Sequence, residues 1–353
     1  MFIKTPLLKK HRGVDMKKIT IILTGYLGLM APIQAHADSL ESGINYDKMS
    51  FLEEPLAIDL GAATFSTRAL VDQSIEYDTI DENDKYNTRI NADFTLETQL
   101  PNNWQAGIRY FSDFNRLNNA SRDKYEDNIA FFFSDEIGTF AFGNVTNSVF
   151  ENTRRMRSVG NADLTNNKFL GDMDETGAYY AVRLNSYILS LVADQEGRAE
   201  GSVSYERNIG EHNIFVSGRL HKGEVSENGD IENVGSNAVI TDQGKTYGAA
   251  AVGSFTYGAL LFDSEVGYEV IDTAQNDKND HPFASVGMSY KIRALSLSAE
   301  GGVAQYDNND LRSAALGARY DIARGLSLNM GLNYTYVDDN DKMKGISSFR
   351  YEF

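Results

Sequence analysis

Apolar and polar residues alternate with a period of two along many short stretches of the chain. In 325–337, for example, Leu326 and Leu328 alternate with Ser327 and Asn329. Successive side chains of a β-strand point to opposite faces, so this pattern predicts a strand with one apolar and one polar face. Sixteen strands are predicted in this way, near 57–69, 86–99, 104–115, 125–134, 138–146, 177–184, 187–194, 201–208, 211–220, 246–256, 259–270, 283–291, 294–305, 312–320, 325–337 and 345–353.

The gaps between these predicted strands alternate between short and long. Gaps such as 100–104 are tight turns, whereas 71–85, 147–176 and 221–244 are long, polar and acidic. A soluble sandwich has no reason to sort its connections in this way, but a membrane barrel has tight periplasmic turns and long outer loops. An even number of strands also closes without an exposed edge. The sequence therefore predicts an all-β fold, a transmembrane antiparallel up-and-down β-barrel of sixteen strands.

The beginning of the chain resembles an export signal. Two lysines precede the apolar run 19–30, and residues 35–37 are Ala-His-Ala, an A-x-A cleavage site. A retained membrane anchor is the alternative, but the run is short for a helix that crosses a bilayer. We therefore expect a signal peptide at 1–37, with Met16 as a candidate initiator, and one barrel domain at 38–353.

Composition narrows the class of protein. The absence of cysteine excludes a disulfide framework, a thiol nucleophile and a lipoprotein cysteine. The formal net charge is −17 although the leader is basic, and such an acidic surface repels nucleic acid. The acidity suits a cell surface where divalent cations bridge loop carboxylates to anionic lipid. It is equally consistent with loops that are acidic only because charge keeps them solvated.

The last predicted strand carries a recognisable pattern. Phe349, Tyr351 and Phe353 share one face, and the chain ends on Phe353. This resembles the C-terminal signature of Gram-negative outer-membrane barrels, which the barrel assembly machinery recognises. With sixteen strands, residues 57–353 resemble the general diffusion porins. The resemblance implies a homotrimer in the cell outer membrane, in contact with lipid and lipopolysaccharide, that forms a water-filled channel and holds no cofactor.

The resemblance also suggests where the pore is narrowest, because the porins fold their third long loop into the lumen. Here the third long gap is 147–176, which lacks the Pro-Glu-Phe-x-Gly signature of the family and carries Arg154, Arg155 and Arg157 early. The acidic candidates on the loop side are Asp163, Asp172, Asp174 and Glu175. Strand parity adds lumen-facing candidates on the wall, Arg89, Arg109, Arg183, Arg219 and Arg319. The alternative is that these are solvated wall residues with no role at a constriction.

Passive diffusion of small hydrophilic solutes is the function that this pattern predicts. The predicted lumen-facing acids outnumber the wall arginines, which favours cations; they are Asp93, Glu97, Glu206, Asp263, Glu265, Glu269 and Glu300. A substrate-specific channel, for example for oligosaccharides, is the alternative. It would need a line of lumen aromatics, for which Phe65, Phe111, Phe132, Tyr179 and Phe215 have roughly the right parity.

A barrel enzyme is a third possibility with little support. After the leader the chain has three histidines, His212, His221 and His281. Each lies in a predicted turn or loop, and none is spaced for a metal site or paired in sequence with a plausible serine nucleophile. Carboxylate runs such as 81–84 lack the glycine and spacing of a calcium loop. The sequence therefore predicts no catalytic residue and no metal site.

Overall fold

A computed structural model describes residues 56–79, 84–117, 124–145, 159–162, 164, 176–225, 244–273, 278–306, 309–337 and 340–352. Its strands are β1 (Leu56–Asp59), β2 (Thr64–Asp78), β3 (Asp84–Gln99), β4 (Gln105–Leu117), β5 (Lys124–Ser134), β6 (Gly138–Asn144), β7 (Thr176–Leu184), β8 (Tyr187–Asp194), β9 (Ala199–Ile209), β10 (His212–Val225), β11 (Gly244–Tyr257), β12 (Leu260–Thr273), β13 (Lys278–Ile292), β14 (Leu295–Tyr306), β15 (Asn309–Ala323), β16 (Leu326–Val337) and β17 (Asn340–Glu352). One 3-10 turn, Pro101–Asn103, joins β3 to β4. Across these described residues, no helix has the length and hydropathy to span a bilayer.

The strands close into a ring. Each strand from β2 to β17 pairs antiparallel with the next, and β17 returns to β2 between Lys344↔Asp78 and Glu352↔Leu70. The short β1 pairs with the other part of the same edge of β2, from Leu56↔Thr67 to Asp59↔Thr64. Because β1 and β17 share one position beside β2, the ring has sixteen positions. The predicted sixteen-stranded antiparallel barrel is confirmed.

The first predicted strand and the first predicted loop are wrong in detail. The strand near 57–69 is broken between β1 and β2, and β2 then continues to Asp78, through most of the expected gap 71–85. The acidic residues that suggested a loop alternate with outward residues such as Ile75. They point inward and meet basic side chains of β17, for example Lys342 against Asp78 at 3.0 Å. The partner strand neutralises charges that the sequence alone leaves unmatched.

The two faces of the barrel have opposite chemistry. On β13 the outward Val286 is 61 % exposed, whereas the neighbouring Ser285 is buried; on β15 the outward Leu316 is 56 % exposed beside the buried Ala315. A soluble protein would bury the larger apolar side chains. Exposed apolar side chains around the outside and polar side chains within are the pattern of a barrel that has lipid outside and water inside.

Tight turns connect the strands at one end of the barrel. Asn185, Gly258 and Gly325 occupy the left-handed backbone region in these turns, with φ of 56°, 55° and 74°. At Gly325 an added Cβ would also strike the carbonyl oxygen of Glu352, whose N–H donates to the Gly325 carbonyl at 2.7 Å. This turn therefore packs directly against the end of the closing strand.

Candidate functional site

The inner wall at β3 and β4 presents two arginines to the lumen. Nη2 of Arg89 donates to Oδ2 of Asp113 at 2.7 Å, and Nε of Arg109 donates to Oδ2 of Asp93 at 2.8 Å. Alternate residues of these strands, such as Ile108, face outward and are exposed. Both arginine side chains remain 50 % exposed while paired. We call these four charged residues the arginine wall; its guanidinium groups are open to the interior.

A second row of charges follows the seam where β17 meets β2. Nε of Arg350 donates to Oδ2 of Asp72 at 2.7 Å, and Ser348 Oγ donates to the same oxygen at 3.1 Å. Nζ of Lys344 lies 3.1 Å from Oε2 of Glu76. Sequence reasoning missed Lys342, Lys344 and Arg350, although their parity, opposite to that of the outward Phe349, was a usable signal. The lumen therefore holds more basic groups than the five wall arginines predicted from strand parity.

Two further predicted wall arginines lie near the turn end. Nε of Arg319 donates to Oδ1 of Asp321 at 2.8 Å, and its Nη2 lies 3.6 Å from Oε2 of Glu352. Arg183 occupies the inward parity of β7, is exposed, and stands next to the outward Leu184. These residues line the end of the lumen rather than its middle.

The inner wall at β9–β13 is polar but closed to solvent. Arg219 Nε lies 3.3 Å from Oε1 of Glu200, and the two side chains are only 3 % and 2 % exposed. Nδ1 of His281 lies 3.6 Å from Oε2 of Glu269, again with both groups buried. Asp263 and Glu265 on β12 share this burial. We call this set of buried acids, Arg219 and His281 the buried wall.

Strand register aligns part of the buried wall in one row. Glu200 pairs with His221, His221 with Gly248, Gly248 with Glu269, and Glu269 with His281. Nε2 of His221 also lies 2.8 Å from Oγ1 of Thr246. The two histidines thus belong to strands rather than to the outer loops predicted for them. Within the described residues no group of three or more His, Cys, Asp or Glu is arranged to hold a metal ion.

The predicted loop acids are outside what the structure describes. Asp163, Asp172, Asp174 and Glu175 all lie outside the described residues, as do Arg154, Arg155 and Arg157. From the same gap, Val159, Gly160, Asn161, Ala162 and Leu164 are described. They lie against inward residues of β14–β17: Val159 N–H donates to Ser298 Oγ at 3.1 Å, and Asn161 Nδ2 donates to Ser348 Oγ at 3.1 Å.

Aromatic side chains divide between the two faces. Phe349 is outward and exposed, and Tyr351, on the same face, is half-buried; Phe353 lies outside the described residues. Phe65 is also outward, where it stacks on Phe94 with ring centroids 6.2 Å apart, so its predicted lumen parity is wrong. Phe111, Phe132, Tyr179 and Phe215 have inward parity, but Phe215 is 3 % exposed and Phe132 covers Gly107. Phe215 is therefore enclosed, whereas Phe111, Phe132 and Tyr179 are half-buried.

No family model matches the sequence, and no curated protein matches it. Solved structures do. OmpT, an outer membrane protein of Vibrio cholerae solved in a trimer form, is 14 % identical over 83 % of this chain and 100 % of its own, with a TM-score of 0.64. An anion-selective porin from Comamonas acidovorans is 10 % identical over 82 % of this chain and 100 % of its own, with a TM-score of 0.59.

A mutant of the Rh. blastica porin is similar in the same way, 13 % identical over 82 % of this chain and 100 % of its own, with a TM-score of 0.56. At these identities the similarity lies in the path of the backbone rather than in the side chains. The complete coverage of each porin chain means that the whole barrel corresponds. This chain therefore has the fold of the sixteen-stranded porins.

Proposed function

We propose that this protein is a porin, a water-filled channel for passive diffusion of small hydrophilic solutes and ions across the outer membrane. The observation that carries the proposal is the inverted barrel, with exposed apolar side chains outside and charged or hydroxyl side chains inside. Such a barrel is stable in lipid and offers water exposed polar groups inside, such as those of the arginine wall. A signal peptide at 1–37, which the sequence predicts, would fit delivery to that membrane.

The proposed assembly is a homotrimer in contact with lipid and lipopolysaccharide. It is supported by the trimer form of the similar OmpT and by the outward apolar belt. Phe349, Tyr351 and Phe353 would present the closing strand to the barrel assembly machinery. No cofactor is needed, because the function is sieving by width and sorting by charge without chemical turnover.

We further propose that the channel prefers cations. β12 and β14 contain no Lys or Arg, yet they carry Asp263, Glu265, Glu269 and Glu300 on the inward face. Although these carboxylates are enclosed and act more weakly than exposed groups, the field of such a fixed negative excess reaches the lumen and raises the local cation concentration. The sign depends on side chains and not on the fold, since one similar structure is an anion-selective porin. The loop acids Asp163, Asp172, Asp174 and Glu175 would add to this preference if they line the pore.

Planar bilayer recording with the purified, folded protein tests both proposals. Stepwise, ohmic conductance that scales with salt concentration is expected, with a zero-current potential of the sign for K⁺ over Cl⁻ across a salt gradient. Heat-unfolded protein in the same detergent is the control. Absence of steps would contradict the channel, whereas a potential of the opposite sign would contradict only the selectivity.

The described residues favour neither alternative. A substrate-specific channel needs a line of accessible lumen aromatics, and among the candidates Phe65 faces outward and Phe215 is enclosed. Saturable block of conductance by an oligosaccharide would nevertheless reveal it. Hydrolysis of lipid or peptide would reveal a barrel enzyme.

A further inference from the structure

The inner wall has a bare patch where β15 and β16 pair. Gly317 and Gly331 are direct register partners, and both have the parity of inward residues such as Ala315 and Asn333. Without Cβ atoms, the wall at this point is backbone alone. Glycine inside a strand costs stability and often marks a place where another backbone approaches closely.

A second backbone does approach closely here. A Cβ added to Gly317 would strike the carbonyl oxygen of Val159, and one added to Gly331 would strike the backbone of Asn161, both well under 3.0 Å. Gly160, between them, has φ of +65°, and a Cβ there would strike the carbonyl oxygens of Ala318 and Met330. Three glycines therefore allow residues 159–161 to lie flat against the wall.

Hydrogen bonds fix the position of this segment on the patch. Beyond the Val159–Ser298 and Asn161–Ser348 bonds, Nδ2 of Asn333 donates to the carbonyl oxygen of Asn161 at 3.4 Å. Ser348 is itself fixed by Asp72. Ala162 and Leu164 continue the contact as a buried apolar cluster with Ala315. Polar and apolar contacts on β14–β17 therefore hold one short segment in a single pose.

The position of this contact in the ring determines its effect on the open cross-section of the barrel. The segment belongs to the connection between β6 and β7, and in a ring of sixteen positions β6 and β7 stand opposite β14 and β15. Strands β6 and β7 therefore lie on one side of the interior, and the wall that contacts 159–162 lies on the other side. The pose of 159–162 therefore bears directly on how much of the cross-section stays open.

We infer that Gly317 and Gly331 form a seat that holds residues 159–162 against the wall opposite β6 and β7, and that this pose sets the free width of the pore. The glycines do not touch solute; they act through the segment that they accept. This inference rests on the proposed channel function for its consequence, but the seat itself is a contact that can be tested without conduction.

The test of the contact uses the absence of cysteine from the chain. Asn161→Cys and Ser348→Cys replace two side chains in hydrogen-bond contact, so a short bis-thiosulfonate reagent should bridge them in the folded protein. Adding Gly331→Ala should reduce the bridged fraction, because the new methyl group occupies the place of the Asn161 backbone. Adding Gly345→Ala is the matched control, since its Cβ would meet no atom within 4 Å. Equal bridging in both backgrounds would overturn the seat.

The test of the consequence is single-channel conductance of Gly331→Ala and Gly317→Ala against Gly345→Ala. The seat variants should conduct roughly 1.5-fold less than wild type, with added noise, because a methyl group on the wall pushes the segment away from it and into the lumen. Comparable heat-modifiable folded fractions on gels exclude misfolding. Reduced bridging with unchanged or higher conductance would overturn the control of pore width. If the wild-type protein does not conduct, the proposed channel function is refuted. The bridging experiment alone then tests whether the glycine seat exists.

Discussion

The arginine wall on β3 and β4 and the buried wall on β9–β13 face each other across the interior. Both obey the same inward parity, and both contain ion pairs of an arginine and an acid. Their exposure differs sharply: Arg89 and Arg109 are half exposed, whereas Arg219 and Glu200 are almost fully enclosed. Parity decides which way a side chain points, but not whether water or solute can reach it.

This difference assigns the two walls different physical roles. A half-exposed pair contributes little to stability, because water screens it, but its charge is felt by ions nearby. A buried pair has lost its hydration, so removing one partner leaves the other uncompensated. We therefore expect variants of the arginine wall to change permeation, and variants of the buried wall to change folding first.

The largest expected effect is on stability at the buried wall. Glu200→Ala leaves Arg219, which cannot release its proton, beside a vacated buried site, and should cost about 3–5 kcal/mol of unfolding free energy. Asp113→Ala on the arginine wall is the matched variant and should cost less than about 1 kcal/mol. Urea unfolding in lipid vesicles, followed by tryptophan fluorescence, measures both. Similar losses of unfolding free energy in the two variants would contradict the proposed difference between the walls.

A substitution on the outward face gives a reference for the size of that loss of stability. Val286→Arg puts a charge at an exposed apolar position in the middle of β13 and should cost about 2–4 kcal/mol in a bilayer. Ser289→Arg, on the inward face of the same strand, should cost clearly less. The same unfolding assay applies. If Ser289→Arg proved the more damaging, the assignment of faces on β13 would be wrong.

Permeation should respond at the arginine wall. Replacing Arg89 and Arg109 with Gln removes positive charge that ions can reach, so the preference for K⁺ over Cl⁻ should increase, most clearly at low ionic strength. Arg219→Gln is the comparison and should shift the zero-current potential less, because its charge is enclosed. A larger shift from Arg219→Gln would mean that the buried wall governs selectivity.

A smaller effect is expected from the loop side. Replacing Asp172 and Asp174 together with Asn should reduce the preference for K⁺ if these acids border the pore. The zero-current potential of this double variant, compared with wild type at equal salt gradients, measures the change. An unchanged potential would assign selectivity to the walls alone.

The two-residue period was sufficient to predict the barrel and the inward side of most strands. It fails where a run of charged residues suggests a loop. Residues 71–78 are strand, and their Asp72, Glu76 and Asp78 meet Arg350, Lys344 and Lys342 from the far end of the chain. A single sequence does not reveal such long-range pairing. Nor does periodicity reveal burial, so Glu265 and Asp93 looked alike.

The glycine seat was equally inaccessible to sequence reasoning. Gly317 and Gly331 occupy ordinary inward positions in strands that were predicted correctly, and nothing near them in sequence points to residue 160. Their role depends on register between β15 and β16 and on a third segment from nearly half the chain away. Only three-dimensional contacts identify it.

The shared position of β1 and β17 has a consequence for biogenesis. The pair that joins the seam, Arg350 with Asp72, is separated by 278 residues, so the ring has the longest sequence separation at its last joint. Closing so large a loop carries the greatest entropic cost of any strand pairing in the molecule. The pairing of β17 with β2 cannot form before β17 has been synthesised. Until then, an open barrel has two strand edges whose backbone N–H and C=O groups are unpaired. β17 therefore closes the barrel, and closure must wait until β17 has been delivered to the membrane.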